Sequence, residues 1–267
     1  MRLPNLTILA LAAAVVLHTP AARGEGEPSV TLTVKATVAS KYVWRGYDLW
    51  NDSPAFQPDL SLDLFGRGYV GFWSAYAVAD GCRDPYGDLC ADWDEHDYYA
   101  GTYGTVGEGT PLRADYDVSY TWYQFFRLSD KDAQEVAVQM VHPDLLAFVG
   151  PGAPALYWSY HYGWPKDRGG EPNQWFKIGL RSTVVAGWAD LTLHAETFWD
   201  DGAGSFASPA GWSHVRIGAA LGVTVGKLKG ELRGYYQQRL KESPQPGLLE
   251  SEPWVELTLA GLPLPLW

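Results

Sequence analysis

The sequence predicts an all-β protein: a closed antiparallel transmembrane β-barrel of about twelve strands. Three observations predict it. Apolar and polar residues alternate with period two through most of the chain, which puts apolar side chains on one face of a strand and polar ones on the other. Most of the alternating runs have the ~9–11 residues that a tilted strand needs to cross a bilayer. The links between them alternate short and long, as periplasmic turns and outer loops do in bacterial outer-membrane barrels.

The elements follow in order. Residues 1–24 read as a secretory signal peptide, with Arg2, an apolar run from Leu6 to Leu17, and Ala22-Arg23-Gly24 as a small-x-small cleavage site before Glu25. That run is shorter than the ~20 residues of a membrane helix. Residues 25–267 then form the outer-membrane β-barrel. Its strands are expected at 29–40, 54–64, 69–79, 95–105, 112–124, 133–142, 154–163, 174–185, 188–199, 213–225, 227–239 and 253–261. In the first, Val30, Leu32, Val34, Ala36 and Val38 oppose Thr31, Thr33, Lys35 and Thr37. In the tenth, Val215, Ile217, Ala219, Leu221, Val223 and Val225 oppose His214, Arg216 and Thr224. The links Gly66-Arg67-Gly68, Ala186-Gly187 and Gly226-Lys227 are tight; 41–53, 80–94, 164–173, 200–212 and 240–252 are long and polar. The links at 125–132 and 143–153 break the rhythm. Pro263 and Pro265 lack the N–H that a paired strand needs, so the last ladder is expected to stop near Gly261, short of the terminal aromatic Trp267.

Composition narrows the function. The formal net charge is −11, and removing Arg2 and Arg23 makes it more negative, which excludes a nucleic-acid partner. The two cysteines, Cys82 and Cys90, share one loop, and export makes a disulfide between them the expected state. No His/Cys cluster completes a zinc site, and no cofactor or metal is expected. The 13 Trp, 16 Tyr and 9 Phe include several near strand ends: Tyr42, Trp44, Trp50, Tyr123, Phe125, Phe126, Trp199, Tyr235 and Tyr236. Together they are expected to form interfacial belts.

The segment Ser40-Lys41-Tyr42-Val43-Trp44-Arg45-Gly46, followed by Pro54 and Gln57, resembles the opening signature of TorF-type porins, in which S-x-Y-x-x-R-G precedes P-x-x-Q on the second strand. Gly66, Tyr69, Gly71, Trp73 and Ser74 resemble that family's following hairpin more loosely. The family motif residues are thus Ser40, Tyr42, Arg45, Gly46, Pro54 and Gln57. The resemblance covers residues 30–78 and implies an exported outer-membrane barrel with a pore.

For a pore, the working residues are charges on the polar parity. The expected pore-lining set is Lys35, Asp115, Asp117, Lys177, Arg181, His194, Glu196, Arg216, Lys229, Glu231, Arg233 and Glu256, with Asp59 and Asp63 on the same parity. Opposed rows of both signs can pair across neighbouring strands. The expected partners are outer-membrane lipid, the barrel-assembly machinery and small hydrophilic solutes. The acidic stretch 80–97 lacks the Asp/Asn-Gly order of a calcium hand loop and reads as a solvated loop. There is no G-x-S-x-G and no H-E-x-x-H, and Ser213 and His214 are expected on opposite faces of one strand, so no enzyme is expected. Two other readings remain at this stage: an outer-membrane barrel hydrolase of the phospholipase kind, and an exported carbohydrate-binding β-sandwich.

Overall fold

A computed structural model describes residues 30–78, 82–83, 87, 89–90, 94–125, 132–150, 152–165, 172–186, 188–202, 210–226, 228–241, 249–261 and 264–265. The expected signal peptide, Phe126, Trp267 and most of the acidic loop lie outside them.

Twelve long strands form the barrel: β1 (Val30–Ala39), β4 (Ala55–Leu64), β5 (Gly68–Ala77), β6 (Glu95–Val106), β7 (Ala114–Phe125), β8 (Ala133–His142), β9 (Ala155–Pro165), β10 (Asn173–Ala186), β11 (Ala189–Asp200), β12 (Gly211–Val225), β13 (Leu228–Arg239) and β14 (Glu252–Gly261). Each pairs antiparallel with its sequence neighbour, and β14 returns to β1 with Ala36 opposite Leu259, so the sheet closes. Closure leaves no long unpaired edge. The pair β2 (Val43–Trp44) and β3 (Tyr47–Asp48) is a small hairpin inside the first loop. The last ladder ends at Gly261 as expected, and β15 (Leu264–Pro265) adds a brief pairing with Thr31 and Leu32. Among the described residues there is no α-helix; a 3-10 turn lies at Ala147–Val149.

Alternation sorts the side chains as the sequence predicts. Val34, Val38, Phe56, Leu60, Leu191, Leu193, Ile217, Leu221, Leu232, Val255 and Leu257 project from the outer face as a continuous apolar band. The charged parity turns inward. This is the inverse of a soluble sandwich, whose apolar faces meet each other.

Two expectations need correction. Tyr42 and Trp50 are buried inside the barrel mouth, and Trp44, Tyr123 and Tyr235 also turn inward to contact interior residues. Tyr236 faces outward as expected, and the outward belt is completed by Tyr98, Tyr120, Trp122, Tyr160 and Trp212, with Trp188 at the opposite end. A position close to a strand end fits either side, because a loop can fold in or out. Ser213 and His214 do not alternate. The β11–β12 register shifts between Phe198 and Trp199, so Trp212 faces Trp199, His214 faces Phe198, and Ser213 is the extra residue between them. Such a bulge breaks the two-residue period. Both side chains are therefore buried, and their polar atoms lie 3.0 Å apart.

Candidate functional site: the inserted first loop and the charged lumen

The loop 40–54 folds into the barrel at the end that carries the long connections. Its hairpin turns at Arg45 and Gly46, whose φ values of 51° and 88° are those of a type I′ turn. Arginine is an uncommon occupant of the left-handed region, and such a backbone persists where surrounding contacts hold it. Here they do. Arg45 Nη2 donates to both Glu135 oxygens, at 2.6 and 2.5 Å, while His161 Nδ1 lies 2.8 Å from the same carboxylate. The guanidinium lies 4.3 Å from the Trp44 ring centre and 5.3 Å from that of Trp175. Gly46 is held on its other side. Gln237 Nε2 donates to its carbonyl at 2.8 Å, and a Cβ there would stand 2.2 Å from the His214 ring. Only glycine fits.

The rest of the loop is tied round the mouth. Lys41 pairs with Asp52 and Glu252, and Tyr42 donates to Glu95. Tyr47 donates to Asp200 at 2.9 Å, and Lys241 holds that same carboxylate at 2.8 Å. Burial acts to lower the Lys41 pKa, but the Asp52 and Glu252 carboxylates outweigh it and hold the ammonium above its ordinary value. Cys82 and Cys90 are bonded, with Cα atoms 5.3 Å apart, and they pack against buried Tyr42 and Trp50. The motif residues divide between these roles. Tyr42, Arg45 and Gly46 are anchors. Ser40 Oγ accepts the Val255 N–H at 3.1 Å, the Pro54 carbonyl accepts the Val78 N–H, and Gln57 lies on the inner wall.

Beyond the loop, the inward charges fall on two walls. On β4–β7, carboxylates are met by tyrosines: Tyr99 donates to Asp59 at 2.5 Å, Tyr69 to Asp117 at 2.9 Å and Tyr103 to Asp63, while Thr105 donates to Asp115 at 2.8 Å. Lys35 on β1 reaches Asp59 at 3.1 Å. Tyr99 lies over Gly71, where a Cβ would come within 2.2 Å of the ring, so a small residue on one strand seats the aromatic of the next. On β10–β14 the bases gather. Glu196 accepts from Arg216 Nε at 2.5 Å and from Tyr157 at 2.6 Å, with Lys177 at 3.7 Å. Lys229 reaches Asp190 at 3.1 Å, and Arg233 pairs with Glu231 and, at 3.7 Å, with Glu256. Arg181 stands opposite His194 in register, and His194 packs against Tyr235. The structure thus brings Lys177, Glu196 and Arg216 into one cluster, and Glu231, Arg233 and Glu256 into another.

Ser213 and His214 lie beneath Gly46. The Ser213 hydroxyl lies 3.2 Å from the Phe198 carbonyl, an acceptor that competes with His214 Nδ1 at 3.0 Å for its one proton. Both side chains are fully buried. Sequence reasoning did not find the anchors Glu135, His161, Asp200 and Gln237. Only the alternating parity of their strands marks them, since each faces inward.

The sequence profile of a family described as "Bacterial protein of unknown function (Gcw_chp)" matches residues 23–226. A search of curated proteins by sequence finds no match. Among solved structures the fold is similar to the NanC porin (TM-score 0.52, 8% identity, covering 86% of this chain and 98% of that one). It is similar to the KdgM porin (0.51, 6%, 86% and 98%) and to the COG4313 outer membrane channel from Pseudomonas putida F1 (0.51, 10%, 91% and 99%). At these identities the likeness is one of fold.

Proposed function

The chain belongs to the Gcw_chp family of bacterial proteins, and from that membership and the closed barrel we propose that it is an outer-membrane channel of the TorF-type porin kind, for passive diffusion of small hydrophilic solutes. The observation that carries this reading is a charged, tyrosine-rich lumen inside a barrel whose outer face is apolar. Water and solute fit the inside, and lipid fits the outside. Residues 1–24 direct export, and the barrel-assembly machinery inserts the product into lipid. No cofactor takes part. The solute passes fixed charges of both signs, with Asp59, Asp63, Asp115 and Asp117 on one wall and Lys177, Arg181, Arg216, Lys229 and Arg233, interleaved with Asp190, Glu196, Glu231 and Glu256, on the other. The loop 40–54 narrows the mouth and sets how much of the lumen is open.

Gel mobility of the membrane fraction, with and without boiling, comes first, and single-channel recording in planar bilayers follows. The triple variant Arg181→Gln, Arg216→Gln and Arg233→Gln is expected to shift the permeability ratio towards cations. An unchanged ratio with conductance intact would remove these arginines from the pathway. A heat-modifiable barrel that never conducts would overturn the channel.

A further inference from the structure

A cavity of about 230 Å³ lies under the first limb of the inserted loop. Tyr42, Trp44, Trp73 and Tyr123 supply aromatic surface to it, and Asp97 and Glu256 supply carboxylates. The wall is built by register. Trp73 stands opposite Asp97, and Asp97 opposite Tyr123, so β5, β6 and β7 place the three inner side chains at one level. Residues Tyr42 to Trp44 roof them. Gln57 adds a neutral amide from β4.

The charges do not balance. Glu95 and Asp97 are alternate residues on the inner face of β6 and both are buried, Asp97 being only 9% exposed. Among the described residues, no basic side chain forms an ion pair with either. Arg45 is committed to Glu135, and Lys41 to Asp52 and Glu252. One carboxylate oxygen of Asp97 is buried without a hydrogen-bond partner at the cavity wall. Glu95 and Asp97 hydrogen-bond each other, so a shared proton settles the pair when no cation is present, and a cation that reaches the free Asp97 oxygen takes the place of that proton.

The walls select the kind of cation. The hydroxyls of Tyr42 and Tyr123 are spent on Glu95 and Glu135, so what these residues offer the cavity is ring surface. Aromatic rings with few free oxygens are poor ligands for Mg²⁺ or Ca²⁺, which require several oxygens. Rings beside a carboxylate are the surroundings that attract an ammonium group, through the ring quadrupole and through charge. The space is several times the ~30 Å³ of one water in the liquid.

We propose that the cavity under Tyr42–Trp44 is a binding site for a small organic ammonium ion, held by Asp97 and by the rings of Trp73, Tyr42, Trp44 and Tyr123. The site stands whether or not the barrel conducts. The ligand enters from the lumen, and its binding braces the inserted loop against β5–β7.

The test titrates the full-length protein, purified in detergent, with choline chloride against sodium chloride at equal ionic strength, following tryptophan fluorescence and heat by calorimetry. A saturable response to choline but not to sodium is expected. Asp97→Asn preserves shape but removes the negative charge that faces the ammonium, and is expected to weaken binding by about tenfold or more, ~1.4 kcal/mol. Trp73→Leu is expected to weaken it about fivefold, in line with ~1 kcal/mol for one ring. Heat-modifiable mobility of each variant shows that the barrel has formed. Three results would overturn the proposal: no saturation beyond the sodium control, undiminished binding by Asp97→Asn, or binding of glucose without binding of choline. A conducting barrel that ignores choline would sink this site and leave the channel; a choline-binding barrel that never conducts would do the reverse.

Discussion

Asp48 sets the response of the inserted loop to pH. It is buried within the hairpin, and its carboxylate accepts the backbone N–H of Trp50 at 3.0 Å and of Asp52 at 2.8 Å. Burial outweighs those two bonds and, with Glu252 nearby, pushes its pKa up to about 6. An acid whose pKa is higher folded than unfolded stabilises the fold most when protonated. Its contribution is full below the unfolded pKa, falls as pH rises towards about 6, and is flat above. Two units at ~1.4 kcal/mol each amount to about 3 kcal/mol. The unfolding free energy from urea titration is therefore expected to fall between pH 4 and pH 6 by this amount, on top of whatever other groups contribute. Asp48→Asn is expected to flatten that slope and to raise the midpoint at pH 7. A slope unchanged in the variant would place the titration elsewhere.

At the scale of the element, the loop 40–54 behaves as one part because its anchors lie all round the barrel, on β6, β8, β9, β11, β13 and β14. Removing one partner of a buried ion pair costs ~3–5 kcal/mol, chiefly because the other charge is left alone. Arg45→Ala leaves Glu135 with only His161 and Tyr123, so the cost is expected at or below the lower end of that range, and the hairpin is expected to release from the wall. Single-channel conductance should rise, with Arg45→Lys between the two because a lysine lacks the planar fork. Equal conductance in all three would show that the loop does not limit flow. The same element marks where sequence reading stops. The strands were legible because a period of two needs only local residues, and β6, with aromatics on both parities, still fell at Glu95–Val106 against an expected 95–105. The motif at Ser40–Gln57 was legible as a motif. Its destination was not, since the partners of Arg45 lie 90 and 116 residues further along the chain. Nor was the bulge at Ser213, because one extra residue leaves no mark in composition.

At the scale of the molecule, the outer face separates a membrane barrel from a soluble one. Ile217 is 52% exposed at the middle of β12, between partners Ala195 and Tyr236. In water, a charge at such a surface position would change stability by about 0.5 kcal/mol or less. At the midplane of a bilayer, arginine on the lipid face of a barrel costs ~2–4 kcal/mol. Thr183, on the opposite parity, pairs with Thr192 inside the lumen, where a charge finds water and neighbours of both signs. Ile217→Arg is therefore expected to lower the unfolding free energy measured in lipid vesicles by that amount, and Thr183→Arg to change it little. In a barrel of this same geometry with water rather than lipid against its outer face, Ile217→Arg would cost little and Thr183→Arg, pointing into the enclosed interior, would cost more. The ratio of the two effects thus reports which face meets lipid, independently of conductance. Equal tolerance at both positions would remove the bilayer from the account of this fold.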